Sequence, residues 1–362
     1  MIIKKNYKKI FKMNNNKDIT VEKNKDHEEK LFYIDNFSTV WSMIKLNTIN
    51  YLEKETNKEI ILNLVAIGFA DGKIFIINLI TMEIHQKLKT INTIYSLAQY
   101  KDNPKYLLCS LSNGYIIIYK LEYNNYIEIQ KLKKPRNSNS GAINKVIVLS
   151  NGDLCSAESK CVSIWRQKKD EEGNKTEEFE FIKEIYTDFH DICQLLEVKN
   201  NVFAFAIYTS KVIKVMNNDG NDYNLIGTIR NLESQGSNSN GMARISDKLF
   251  CSGGKNYFIY IISVEPVELI QKIKLISQQA VTNISFMHTT NDGLFIFTSY
   301  FENIIQFKLI KDRRNNFIEI EEYDKITDKQ MGSPGIITTN DGKIFYQKKL
   351  DKTQFCLTSY KV

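Results

Sequence analysis

Proline, tryptophan and histidine are scarce in this 362-residue sequence, with four, two and four copies respectively. No apolar run approaches the roughly 20 residues that a membrane-spanning helix needs, so no transmembrane span is expected. The six cysteines, at 109, 155, 161, 193, 251 and 356, form no Cys-x-x-Cys pair and have no histidine at metal-ligand spacing. Each lies in an apolar, strand-like run, the setting of a reduced structural thiol rather than of a disulfide framework. The histidines, at 27, 85, 190 and 288, are too scattered to suggest a His-based metal centre. Phosphate-cradling glycine loops, His-Glu-x-x-His and Gly-x-Ser-x-Gly are missing as well. The expectation is a chain with no metal, no cofactor and no catalytic residue.

What is abundant is Lys, Asn and Ile, together with 43% hydrophobic and 25% charged residues, the composition of a globular protein. The net charge of +7 is unevenly placed. Residues 1–17 carry six lysines and no acid, which leaves 43 basic and 42 acidic residues in the remainder. The body is therefore nearly neutral, and net charge gives no argument for nucleic-acid binding. In so Asn-rich a chain, the Asn-x-Ser/Thr triplets at Asn36, Asn174 and Asn283 read as chance matches.

Residues 1–29 read as a basic tail ahead of the folded part. Ile3, Tyr7, Ile10 and Phe11 share one helical face, with lysines on the other. A solvated tail, a targeting presequence and a membrane-surface or partner-docking helix all fit that pattern.

From residue 30 onward the sequence is short strands at regular intervals. Seven hydrophobic strands repeat: KIFIINL (73–79), YIIIYKL (115–121), CVSIWRQ (161–167), VIKVMNN (212–218), YFIYIIS (257–263), IIQFKLI (304–310) and TQFCLTS (353–359). Their spacings are 42, 46, 51, 45, 47 and 49 residues. Each follows a strand ending in small or polar residues and a tight turn, as in VAIGFADG and LLCSLSNG. Asp71-Gly72 and Asn113-Gly114 suggest two-residue hairpins with φ > 0 at both central residues. Innermost strands lie upstream, and TVWSMIKL (39–46) aligns with TIYSLAQY (93–100). Seven four-stranded units of 40–50 residues are the pattern of a β-propeller. The seventh stops after three strands, and KLFYIDNF (30–37) can supply its outer one. The fold expected is all-β: a seven-bladed β-propeller over residues 30–362, its last blade closed by an N-terminal strand near 30–37. Six or eight blades stay open at the weak seventh unit.

SGGKNYFIYIIS (252–263), SAESKCVSIWR (156–166) and AIGFADGKIFIINL (66–79) carry a further likeness. In them the layout resembles the WD40-repeat β-propellers, in which the last blade takes its outer strand from the N-terminus. The repeats are degenerate. Trp165 holds the family's terminal tryptophan position in one blade only, Arg166 replaces the usual Asp, and no Gly-His dipeptide occurs. His190 lies near the right junction in one unit.

The family often binds partners on the face carrying the tight turns and the outer-to-inner strand junctions. Here that face would present Lys133, Lys134 and Arg136, then Lys160, Lys211 and Lys255, a basic rim for an acidic or phosphorylated segment. On the opposite face the loop 47–59 and the hairpin 167–178 are long and charged, a frequent setting for binding. The acidic pairs Glu171-Glu172, Glu177-Glu178 and Glu321-Glu322 fall in loops or outer strands, without the converging geometry that glycosidase chemistry needs. The function expected is a non-catalytic protein–protein interaction scaffold in the cytoplasm. Two alternatives differ in class: a structural subunit of a large ribonucleoprotein, in an organelle or outside one, with the basic N-terminus as a mitochondrial presequence or an RNA-touching tail, and a propeller hydrolase. Nucleic acid enters only through such a larger complex.

Overall fold

In the computed structural model, side chains are described for residues 38–47, 62–100, 103–135, 141–187, 192–207, 211–220, 222–232, 241–253 and 258–274. Strand backbone alone is described for further segments between 23 and 61 and between 283 and 361. The expected amphipathic face in residues 1–22 lies outside them.

Twenty strands form five four-stranded antiparallel sheets in strict sequence order, and no helix occurs among the described residues. Sheet 1 holds β1 (Val40–Lys45), β2 (Leu64–Phe69), β3 (Lys73–Asn78) and β4 (Glu83–Lys89). Sheet 2 holds β5 (Ile94–Gln99), β6 (Tyr106–Leu111), β7 (Tyr115–Glu122) and β8 (Asn125–Lys133). Sheet 3 holds β9 (Lys145–Val148), β10 (Leu154–Ala157), β11 (Cys161–Lys169) and β12 (Lys175–Tyr186). Sheet 4 holds β13 (Ile192–Lys199), β14 (Val202–Ile207), β15 (Val212–Asn218) and β16 (Tyr223–Ile229). Sheet 5 holds β17 (Met242–Arg244), β18 (Leu249–Gly253), β19 (Phe258–Val264) and β20 (Val267–Lys274).

The burial pattern explains why continuous apolar runs alternate with mixed ones. The second strands β2, β6, β10 and β14 are buried at every position, because neighbouring sheets cover both of their faces. Outer strands such as β4 and β20 have no fully buried position, and their sequences, EIHQKLK and VELIQKIK, are correspondingly mixed. The core lies between successive sheets. Ala66 and Ile74 of sheet 1 pack with Leu97, Cys109 and Ile117 of sheet 2, and Leu108 and Ile118 pack with Val146 and Trp165 of sheet 3. Cys155 and Ile164 meet Leu195 and Phe203 of sheet 4, and Ala204 and Val215 meet Phe250 and Tyr260 of sheet 5. Each such aliphatic or aromatic side chain contributes about 1.5–3 kcal/mol by its burial. Small residues occupy the ends of the second strands where sheets approach most closely. A Cβ on Gly68 would lie 2.6 Å from Ile94 Cγ2.

One irregularity repeats. Each outer strand of these five sheets carries an extra residue where it pairs with the third strand: His85, Ile129, Ile182, Ile226 and Ile270. Such β-bulges increase local twist and disrupt the ladder, a recurrent way of protecting an edge strand from extension.

The hairpins differ from the expected type. At Asp71-Gly72 and Asn113-Gly114 only the glycines have positive φ, +82° and +80°. Gly72 N–H donates to Phe69 O and Gly114 N–H to Leu111 O. These are three-residue loops, a tight turn followed by a left-handed glycine, so the first residue of each dipeptide needs no positive φ. The two-residue turn with both φ positive is instead Tyr123-Asn124, between β7 and β8.

The stretch expected as a loop at 47–59 contains strand Ile49–Leu52, which pairs with Glu59–Leu62. The excursion at 167–178 continues β11 and β12 to a turn at Asp170–Asn174. Backbone pairing also joins Asn283–His288, Leu294–Tyr300, Asn303–Lys311 and Phe317–Thr327 into one further set of four strands. Another set joins Met331–Thr338, Lys343–Lys349 and Gln354–Lys361 with Phe32–Asp35, through Phe32↔Leu357 and Asp35↔Gln354. Lys23–Asn24 of the expected tail pairs with Glu29–Lys30 at its boundary with the expected strand.

Candidate functional site

Three of the six rim residues are exposed at the turn-bearing ends of their own sheets. Lys133 closes β8 opposite Tyr115, with its ammonium 5.0 Å from that ring centroid. Lys160 sits in the turn between β10 and β11, and Lys211, with φ +56°, in the turn between β14 and β15. Their carbonyls are structural. Thr187 N–H donates to Lys160 O at 2.9 Å and Leu232 N–H to Lys211 O at 3.2 Å, as Thr90 N–H does to Gly72 O in sheet 1. Each bond pins the exit of an outer strand to the tight turn, so the turns and the outer-to-inner junctions share one end. Ile91, 94% exposed, and Tyr186, 67% exposed, lie at that end too. Arg136 and Lys255 lie outside the described residues, as do His190 and Asp191.

Lys134 is a correction to the rim. It is only 4% exposed, and its ammonium lies 2.6 Å from Glu158 Oε2, 2.5 Å from Glu184 Oε1 and 3.0 Å from Cys161 Sγ. Burial presses the ammonium toward neutrality, but the bonds to Cys161, Glu158 and Glu184 outweigh it and hold Lys134 charged. Burial pushes the Glu158 carboxyl up, against the pull of Lys134 and Ser163. Glu184 ends lower, because Lys134 and Tyr186 overcome its partial burial. The cluster ties the end of β8 to sheet 3 and presents no cation to a partner.

Arg166 clasps the buried Asp153 through Nε at 2.8 Å and Nη2 at 2.7 Å. Tyr223 of sheet 4 donates to the same carboxylate at 2.6 Å. Trp165 Nε1 donates to Ser156 Oγ at 3.2 Å. His85 Nε2 meets Asn124 O at 2.7 Å and so joins sheets 1 and 2. Glu177 is bound by Lys120 and by Tyr106 OH, and Glu178 by Lys168, so the Glu177-Glu178 pair serves structural ties. Burial pushes up the thiols of Cys109, Cys155, Cys161 and Cys251, which suits inert packing groups. Among the described residues, no three His, Cys, Asp or Glu side chains gather closely enough to hold a metal ion. Nor is any helix there long and apolar enough to cross a membrane.

The innermost strands border a second candidate site. A cavity of about 280 Å³ is lined by β5, β9, β13 and Met242 of β17. Its walls are mainly aliphatic, with Gln99, Lys145, Gln194 and Glu197 as its polar members. Lys145 pairs across the sheet with Ala157, at the register held by Ser42 opposite Gly68, Ser96 opposite Ser110 and Gln194 opposite Ala206. Protein surrounds the Lys145 side chain while water still reaches it, and burial lowers its ammonium to about 8. Three residues further along, Gln99 Oε1 accepts Asn47 N–H and Glu197 Oε1 accepts Ser150 N–H, each at 2.5 Å. These are equivalent ties from one sheet to the one before it.

Sequence reasoning missed Lys145. The alignment of Val40-Trp41-Ser42-Met43 with Ile94-Tyr95-Ser96-Leu97, extended to Ile143-Asn144-Lys145-Val146, places a lysine where the first two units have serine. That exception was the available signal.

No protein-family model matches the chain, and no curated protein matches it.

Proposed function

We propose that the chain is a non-catalytic protein-interaction scaffold built as a seven-bladed, WD40-like propeller, and that its turn-bearing end docks an acidic segment of another protein. The observation that carries the docking is the exposure of Lys133, Lys160 and Lys211 at equivalent ends of three successive sheets, with Tyr186 and Ile91 exposed at the same end. Lysines supply long-range attraction to an acidic partner, and the tyrosine and isoleucine supply area that gains by leaving water.

The ring rests on neighbour relations among innermost strands. β1 adjoins β5, β5 adjoins β9, β9 adjoins β13 and β13 adjoins β17. Met242–Arg244 then adjoins Asn283–His288, which adjoins Met331–Thr338, which adjoins Val40–Lys45. That order is cyclic, and the pairing of Phe32–Asp35 with Gln354–Lys361 supports an N-terminal latch.

The test compares affinity capture by the wild-type chain with two triple charge reversals. One is Lys133→Glu, Lys160→Glu and Lys211→Glu; the other, Lys105→Glu, Lys169→Glu and Lys248→Glu, alters exposed lysines at the opposite end. The first triple is expected to lose its partners by about tenfold or more while the second keeps them. Equal capture by all three, or equal loss in both triples, contradicts the reading.

A further inference from the structure

Two neighbouring outer strands, β16 and β20, each present a pair of aliphatic residues to water. Leu225, Ile226, Leu269 and Ile270 are between 40% and 52% exposed. The pairs stand at one register, because Ile226 and Ile270 are the extra residues of their two bulges. The strands also come close together: a Cβ on Gly227 would lie 2.4 Å from the Val267 Cβ. Scattered aliphatics are ordinary on a protein surface, whereas four on adjoining strands form a contiguous patch, the mark of an interaction surface. The fold does not require it. At the same register β4 has Ile84 and His85, both half-buried, and β8 has the acidic Glu128 ahead of a half-buried Ile129.

Charge around the patch is sorted by end. On β20, Glu268 precedes Leu269-Ile270 and Lys274 closes the strand, and both are exposed. Arg230, exposed just beyond β16, widens the basic end. Lys272 already lies over the Phe258 ring at 4.0 Å, and Asp222 and Glu265 are paired with Lys183 and Lys199. Glu268 and Lys274 therefore define the polarity. A partner segment of one charge sign would meet a like charge at one end of the patch. A second copy of the chain, turned end for end, meets none: its basic end falls on the acidic end of the first, and apolar falls on apolar. The bulges disrupt the outer ladders, so such a contact runs through side chains rather than through an added strand.

We propose that this patch is the contact of a two-fold symmetric dimer of the chain. Leu225, Ile226, Leu269 and Ile270 pack on their counterparts, and Glu268 of each copy lies at the basic end of the other. Such a contact uses the same surface on both copies and closes at two. Its small size places it among weak, concentration-dependent associations.

Sedimentation velocity of the unaltered chain from about 1 μM to about 300 μM tests this. The weight-average mass is expected to rise from that of one chain toward that of two and to stop there. Ile226→Glu with Ile270→Glu places like charges in the contact and should weaken association at least about tenfold. Glu268→Lys and Lys274→Glu should each weaken it by about threefold or more, and the two together in one chain should restore most of it. The Lys133→Glu, Lys160→Glu, Lys211→Glu chain should associate like the wild type, which separates this contact from docking at the turn-bearing end. The proposal is overturned if the unaltered chain stays monomeric across that range or grows past two copies. It is equally overturned if the Ile226→Glu, Ile270→Glu chain associates like the wild type, or if the exchanged charges restore nothing. The concentration series uses the unaltered chain, so it stays decisive even where a variant fails to fold.

Discussion

Lys134 is buried and Lys145 partly so, and their surroundings send them in opposite directions. Lys134 has two carboxylates and a thiol within contact distance, so its charge is retained. Replacing it with Met leaves Glu158 and Glu184 buried without their cation, and a loss of about 3–5 kcal/mol is expected in urea unfolding. Adding Glu158→Gln should recover part of that loss; no loss in the single variant would show that the cluster is not structural. Lys145 titrates in the other sense. Its folded value, about 8, lies below the ordinary 10.5, so between those values the unfolded chain binds more protons and stability rises with pH. The stability gap between wild type and Lys145→Met should therefore change by about 2–3 kcal/mol from pH 7 to pH 10.5 and be level below about pH 7. A constant gap across that range would refute the lowered value. Of the two, Lys134 was readable in part. Leu132 is buried, Lys133 exposed and Lys134 buried, the period-two alternation of a strand continuing past its last paired residue. Reading KKPR as one basic cluster hid it.

Strands announced themselves in the sequence wherever both faces are covered. LVAIGF, YLLCSL and VFAFAI are uninterrupted because neighbouring sheets bury every position. The bulges were not legible, since the extra residue is His85 in one strand and isoleucine in four others, and nothing local marks it. Turn type was misread for a related reason: Asp-Gly and Asn-Gly fit a two-residue loop and the last two positions of a three-residue one. Close approach between outer strands was equally hidden. Gly227 in β16 faces Val267 in β20, and a Cβ at 227 would lie 2.4 Å from the Val267 Cβ. Gly227→Val is expected to destabilise by about 1–3 kcal/mol, with Val267→Ala restoring part of it. Unchanged guanidinium midpoints for the single variant would show that β16 and β20 do not pack this closely.

At the scale of the whole chain, the proposal is that successive sheets close on themselves through a strand from the N-terminal region. The repeat was visible because its period is regular and each unit ends on a similar hydrophobic strand. The proposed binding surface was less visible, because it depends on which lysines face out at one end, and that requires the register of every sheet. The exposure of Lys133, Lys160 and Lys211 beside a buried Lys134 illustrates the difference. Closure adds two requirements. The Phe32–Asp35 strand must satisfy the edge of Gln354–Lys361, and its removal must leave that edge unpaired. Residues ahead of position 30 should contribute little to either. Closure is tested most directly by comparing chemical denaturation of a chain starting at residue 30 with one starting at residue 38. A latched ring predicts one cooperative transition near the full-length midpoint for the first, and a loss of several kcal/mol or of cooperativity for the second. Coincident transitions for the two truncated chains would contradict it.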